Sequence, residues 1–327
     1  MKMKTTVSFE PSALLKFGSI VIMIAVLLIL GLRVPLFFRL ENLMDVLKQG
    51  SILALVALAF HVVLVAGGFD MCGGATLNLF TNLTAWMILS LGINAMYSIP
   101  VGIFLGLLIG CMNAFFVAGM RLPNFVGTLG SMYIVQGLTA MVNQGATLTI
   151  RNQGLFSTLG GGYILDLLPV LFIIMIFIGV ILHYFLKHTK TGLRCCACGI
   201  NPVAAEMRGV NPRKYLALGY IISGALLGFV GVMRCSYSNG ASALNVTFEY
   251  LVKAIICCYL GSTMSKNGEM NVLGTIISAL FIGALSNALI LNSITDQVIN
   301  GILGIVLILS ILVKVIKKRE IGQVTLF

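Results

Sequence analysis

DLLPVLFIIMIFIGVILHYFL, residues 166–186, is one apolar run with a single acidic residue at its start and no lysine or arginine inside it. At about 1.5 Å of rise per residue, a helical run of this length just crosses a hydrocarbon core of roughly 30 Å. Nine further runs take the same reading, near residues 16–38, 47–67, 73–92, 98–119, 124–143, 215–235, 248–264, 271–291 and 297–313, with glycines or charges interrupting 73–92 and 248–264. The fold class is therefore an all-α polytopic membrane protein with about ten transmembrane helices. Composition agrees, since 59% of the 327 residues are hydrophobic and only 9% are charged, which excludes a water-soluble globule. The 36 glycines follow no short repeat and suit helices whose backbones approach closely. The first run follows a polar stretch with Lys2, Lys4, Glu10 and Lys16 and is too long for a cleaved leader, so it reads as a retained span.

Basic residues gather in short cytoplasmic loops, so they orient the chain. Ten spans put both termini on one side. If that side is the cytoplasm, the inside segments hold Lys2, Lys4, Lys16, Arg121, Lys187, Lys190, Arg194, Arg208, Arg213, Lys214, Lys266, Lys314, Lys317, Lys318 and Arg319. The outside segments hold Arg33, Arg39, Lys48 and Arg151. Fifteen against four places both termini inside a bacterial cytoplasmic membrane. The organisation expected is a cytoplasmic segment 1–15, a membrane domain 16–313 and a cytoplasmic tail 314–327. The formal net charge of +11 is then a topology signal, and the scatter of basic residues without interleaved aromatics excludes nucleic-acid binding.

No long hydrophilic stretch is present to fold as a soluble catalytic or nucleotide-binding domain, and no glycine-rich Lys-Ser/Thr phosphate loop occurs. Three histidines without an HExxH or nucleophile–base pattern leave an intramembrane enzyme unsupported. Cys195, Cys196 and Cys198 lie together near His188 but lack a second pair at zinc-site spacing, and the other five cysteines fall in or near spans, where cysteine acts as a small apolar residue.

Three polar islands remain. GGFDMCGGATLN (67–78) sets Asp70 among glycines between two spans. It reads as a gate or path element, as a tight turn with Asp70 capping the next helix, or as both. GMRLPNFVGTLGSMYIVQG (119–137) opens a span with Pro123 and Asn124 and carries Thr128 and Ser131 on one helical face. Those hydroxyls serve either a sugar path or hydrogen bonding between helices.

The third island follows the opening run directly: KHTKTGLRCCACGINPVAAEMRGVNPRK, residues 187–214. Asn201 is an N-cap, Pro202 suits the first helical position, and Gly209 with Asn211-Pro212 closes the turn. Val203, Met207 and Val210 repeat at spacings of four and three, giving one apolar stripe with Ala204 beside it. The resulting two turns, about 12–15 Å, are too short to span a bilayer. Such a helix either docks another protein or rests on lipid.

The stretch ACGINPVAAEMRGVN (197–211) resembles the cytoplasmic coupling signature of ABC importer permeases of the monosaccharide branch (ribose, xylose, galactose and autoinducer-2 systems), with Gly199, Asn201, Ala204, Ala205 and Gly209 at matching positions. GFDMCGG (68–74), PNFVGTLG (123–130) and HTKTGLR (188–194) are similar to further elements of that family in the same order, so the likeness covers about residues 45–315. It implies a permease without enzymatic activity or a cofactor of its own, ATP being bound by a separate cytoplasmic ABC ATPase. It also implies a second permease copy or paralogue, an extracytoplasmic solute-binding protein and a surrounding bilayer. Gly199, Asn201, Ala204, Ala205, Arg208 and Gly209 become the ATPase-coupling residues. Asp70, Asn124, Phe125, Thr128, Ser131, Glu249 and Lys253 become translocation-path candidates. The chain departs from the family in LGSTMSKNGEM (260–270), where several glycines are replaced. It departs again in FEYLVKAIICC (248–258), where Lys253 stands four residues after Glu249, as an ion pair at an interface or as a solute contact. Related families carry nucleosides or branched-chain amino acids, and an ATP-independent transporter or channel is the competing class.

Overall fold

The computed structural model describes residues 11–164, 167–242, 247–265 and 268–320, with side chains described between Ile20 and Val315. Segment 1–10, Lys266 and the tail beyond 320 lie outside the described residues. Thirteen α-helices follow in order among the described residues: α1 (Pro11–Arg33), α2 (Leu40–Val65), α3 (Gly73–Ser90), α4 (Ser98–Ala114), α5 (Asn124–Asn143), α6 (Leu155–Gly161), α7 (Val170–His188), α8 (Lys190–Ile200), α9 (Pro202–Met207), α10 (Pro212–Ser238), α11 (Thr247–Ser262), α12 (Val272–Leu291) and α13 (Asp296–Glu320). A π-helical turn, Phe115–Gly119, extends α4. Two-residue strand pairs, Leu148–Thr149 with Gly240–Ala241 and Tyr163–Ile164 with Leu168–Pro169, close loops at the end of the bundle away from α9.

Every expected span has its helix, yet seven of them are long and apolar enough to cross a membrane by length and composition: α2, α4 with its flanking turns, α5, α7, α10, α12 and α13. The apolar part of α1 that is described, Ile20–Arg33, is shorter, and α3 and α11 are not among the seven. The interruptions noted at 73–92 and 248–264 mark the same two helices. In α3 the polar residues face inward: Thr76, Asn78, Thr81, Asn82 and Thr84 are all buried. The first helix stops at Arg33 rather than running to 38, because Pro35 disfavours helical geometry at the preceding residue and Val34 is extended.

Between apolar helices in lipid there is little hydrophobic driving force, so close packing and interhelical hydrogen bonds hold the bundle. Helices α4 and α10 pack through Gly102, Gly106 and Gly110 on one and Gly224 and Gly228 on the other. A β-carbon on Gly106 would lie 2.9 Å from the Gly228 Cα, and one on Gly110 2.8 Å from the Ile221 Cα, so only glycine allows this approach. Hydrogen bonds tie the other contacts. Asn42 and Asn287 exchange amide bonds at 3.1 Å between α2 and α12, Asn143 donates to Asn82 Oδ1 at 3.2 Å between α5 and α3, and Thr81 donates to the Gly231 carbonyl at 3.2 Å. Each such bond contributes on the order of 1 kcal/mol or less.

Candidate functional site

The three polar islands, far apart in sequence, meet at one end of the bundle. Helix α2 ends in a Schellman motif: Gly67 takes a positive φ of 83°, its N–H bonds the Leu64 carbonyl, and the Gly68 N–H bonds the Val63 carbonyl at 2.9 Å. The chain then runs through Phe69 and buried Asp70 into α3. Asp70 Oδ1 accepts the Cys72 N–H at 2.8 Å, an Asx turn just before α3 rather than a cap bond on the helix itself, and the Asn113 amide of α4 approaches it at 3.5 Å. Burial raises the Asp70 carboxyl to about 7, the Cys72 and Gly73 N–H groups pulling the other way.

The second island closes on this turn. Asn124 donates to the Gly67 carbonyl at 3.3 Å, and the Met71 N–H donates to Thr128 Oγ1 at 3.0 Å. From α10, the Tyr220 hydroxyl donates to the Phe69 carbonyl at 3.0 Å. Ser131 is buried one turn on and bonds the Gly127 carbonyl of its own helix at 3.1 Å, whereas Phe125 faces outward.

The third island abuts the same turn from the other side. A β-carbon on Gly67 would lie 3.1 Å from the Gly199 Cα, and one on Gly199 would run into the Val65 carbonyl. Helix α8 is N-capped by Thr189, whose hydroxyl accepts the Gly192 N–H at 3.0 Å, and α9 by Asn201, whose side chain accepts the Ala204 N–H at 3.0 Å. A second Schellman motif ends α9: Gly209 has φ of 76°, its N–H bonds the Glu206 carbonyl, and the Val210 N–H bonds the Ala205 carbonyl.

The faces of α9 differ from a simple reading of its stripe. Met207 and Val203 are 85% and 61% exposed, and Ile200 just before them 67%, while Val210 packs inward with Ala205, which is 6% exposed. Ala204, Arg208 and Gly209 lie on the surface. The outward patch is therefore Ile200, Val203, Ala204 and Met207, mounted on a small core of Cys195, Cys198, Ala205 and Tyr215. Burial pushes the Cys195 thiol up to about 12, in keeping with a packing role rather than a reactive thiolate.

Glu249 and Lys253 lie elsewhere. Lys253 Nζ and Glu249 Oε1 are 2.7 Å apart on the first turns of α11, at the far end of the bundle from α9. They line a cavity of about 210 Å³ between α2, α10, α11 and α12, with Gln49, Tyr237, Tyr250 and Ser286 as its other polar walls. Arg234 stacks 5.0 Å from the Tyr250 ring centre beside it, and Lys48 lies 3.9 Å from that of Tyr163. Gln49, Tyr237 and Ser286 were not singled out from sequence. The available signal was the spacing of Glu41, Asp45 and Gln49, four residues apart on one face of the polar first half of α2.

Residues 42–311 match the family model described as branched-chain amino acid transport system / permease component. The chain belongs to this permease family. Among curated proteins the permease is similar to the ribose import permease protein RbsC of Haemophilus influenzae, 31% identical over 284 residues covering 86% of each chain. It is also similar to RbsC of Bacillus subtilis, 30% identical over 299 residues (91% of this chain, 92% of the relative). The galactofuranose transporter permease protein YtfT of Escherichia coli is 28% identical over 273 residues (82% and 78%). No solved structure matches the chain. The permease is a multi-pass membrane protein whose relatives are transport permeases.

Proposed function

We propose that the chain is the membrane subunit of an ATP-driven, binding-protein-dependent importer that moves a monosaccharide across the bacterial cytoplasmic membrane. ATP hydrolysis belongs to a separate cytoplasmic ABC ATPase docked on α9, with both termini on that side. A second permease copy or paralogue completes the pore, and an extracytoplasmic binding protein delivers the solute. The sugar reading rests on the relatives, which are named for ribose and galactofuranose.

The observation that carries the coupling assignment is the mount of α9. Its outward patch is apolar and largely exposed, while Ala205 and Val210 on its inner side pack on Cys195 and Cys198 of α8 and Tyr215 of α10. Gly199 of α8 abuts the turn after α2, which is hydrogen-bonded to α5 and α10. A displacement imposed on Met207 by a partner is passed through α8 and that turn to α2, α5 and α10. Such a linkage is what ATP-driven switching between inward- and outward-facing states needs.

Val203→Glu combined with Met207→Glu tests this directly. Both side chains are exposed, so the doubly substituted permease should reach the membrane at wild-type levels and melt at the same temperature, yet lose the co-purifying ATPase and ATP-driven uptake of labelled ribose. Normal uptake by that variant would remove α9 from coupling.

A further inference from the structure

The cavity at the far end from α9 contains groups that the coupling role leaves unused. Gln49 lies nine residues into α2, about 13 Å along the helix. It is exposed one turn beyond exposed Asp45, so a polar edge leads down α2 toward the cavity. Polar side chains on a spanning helix are tolerated where they face water or protein rather than lipid. At the wall, the Ser286 hydroxyl is buried without a hydrogen-bond partner among the described residues. A buried hydroxyl left unpaired costs about 1–3 kcal/mol, which an incoming hydrogen-bonding group would recover.

The charge pattern selects among ligands. Glu249 and Lys253 neutralise each other at 2.7 Å, with the lysine side chain 18% and the glutamate 44% exposed. Among the described lining residues Glu249 and Lys253 are the only charged ones and they pair with each other, so the lining sets no free cation and free anion apart for a zwitterionic amino acid, while Arg234 beside it lies over the Tyr250 ring. Each partner still has capacity for neutral groups, since the ammonium keeps two N–H donors and the carboxylate its second oxygen. A hydroxyl both donates and accepts, so a polyol can bridge the two without separating them. Tyr237 and Tyr250 add flat apolar ring faces with polar tips. At about 210 Å³ the space falls below the roughly 300–1,000 Å³ of pockets for drug-sized ligands, and it suits a single small solute.

We propose that the cavity bounded by Gln49, Tyr237, Glu249, Tyr250, Lys253 and Ser286 is a binding station for an uncharged polyhydroxylated solute of monosaccharide size. The Glu249–Lys253 pair acts there as a combined acceptor and donor. The station rests on the importer reading and adds its solute chemistry, discriminating against zwitterions.

The test uses the full-length permease in lipid nanodiscs, probed by saturation-transfer NMR with D-ribose and with L-leucine, alongside ribose uptake by cells carrying the complete transport system. Ribose should give a transfer signal and leucine none. Glu249→Gln should weaken ribose binding about tenfold, and Ser286→Leu, which fills the cavity, should abolish it at unchanged melting temperature. If Ser286→Leu fails to reach the membrane, Glu249→Gln, at a half-exposed position, decides alone. Ribose binding both variants as tightly as the wild type overturns the station, as does a leucine signal in place of ribose. The two readings fail separately. Ribose uptake without ribose binding by the wild type removes the station and leaves the importer, whereas cavity binding without any ATP-driven sugar uptake does the reverse.

Discussion

At Gly199 the restriction is spatial, and at Gly209 it is conformational. A side chain on Gly199 has the Val65 carbonyl in its way, whereas one on Gly209 meets open space but must hold a left-handed backbone. Gly199→Val should therefore abolish assembly and uptake, measured as membrane abundance and ribose transport. Gly209→Ala should cost only about 1–2 kcal/mol, seen as faster amide exchange across α9 with most transport retained. Asp70 gives a pH signature. Its carboxyl titrates near 3.8 in an unfolded chain and near 7 when buried, so the folded protein holds the proton through that interval. The contribution of Asp70 to stability is therefore full below about 4, is lost as pH rises through about 7 and is constant above that; Asp70→Asn should flatten the slope of melting temperature against pH between these values and melt above the wild type at pH 8. Asn201, Pro202 and Gly209 were legible in sequence because caps act over three or four residues. The inward turn of Ala205 and Val210 was not, because which side of a two-turn helix is covered depends on Tyr215 and the cysteines of α8 beneath it.

Among the elements, the α4–α10 contact is the most sensitive to bulk. Gly106→Leu should drive these helices apart and lower both the amount of protein in the membrane and its melting temperature, while Gly130→Leu on α5, where a β-carbon meets nothing within 4 Å, should leave both unchanged. Helix positions were readable from apolar length alone, and Pro35 and Pro169 moved their ends by a few residues. What length could not reveal is which helices are wrapped by others. Helix α3, with its buried threonines and asparagines, sits inside the bundle, where polar side chains find partners, and its polarity is the trace of that position.

At the scale of the whole molecule, the proposed orientation sets Lys190 and Asn152 on opposite sides of the membrane. In intact cells, cysteine at 152 should react with an impermeant maleimide and cysteine at 190 only after permeabilisation; the reverse pattern would invert the chain. Charge counting alone leads to this proposed orientation, because the positive-inside bias depends only on loops. It could not show that residues 67–72, 124–128 and 199 converge, since such convergence belongs to the packing of separate spans. The contact of Gly67 with Gly199 carries a consequence for chain length. Two backbones meeting without side chains leave no slack to absorb an added residue. A single insertion between 65 and 73 would therefore separate α8, and with it the proposed docking helix α9, from the turn even if every span still formed, so the linker's length matters as much as its composition.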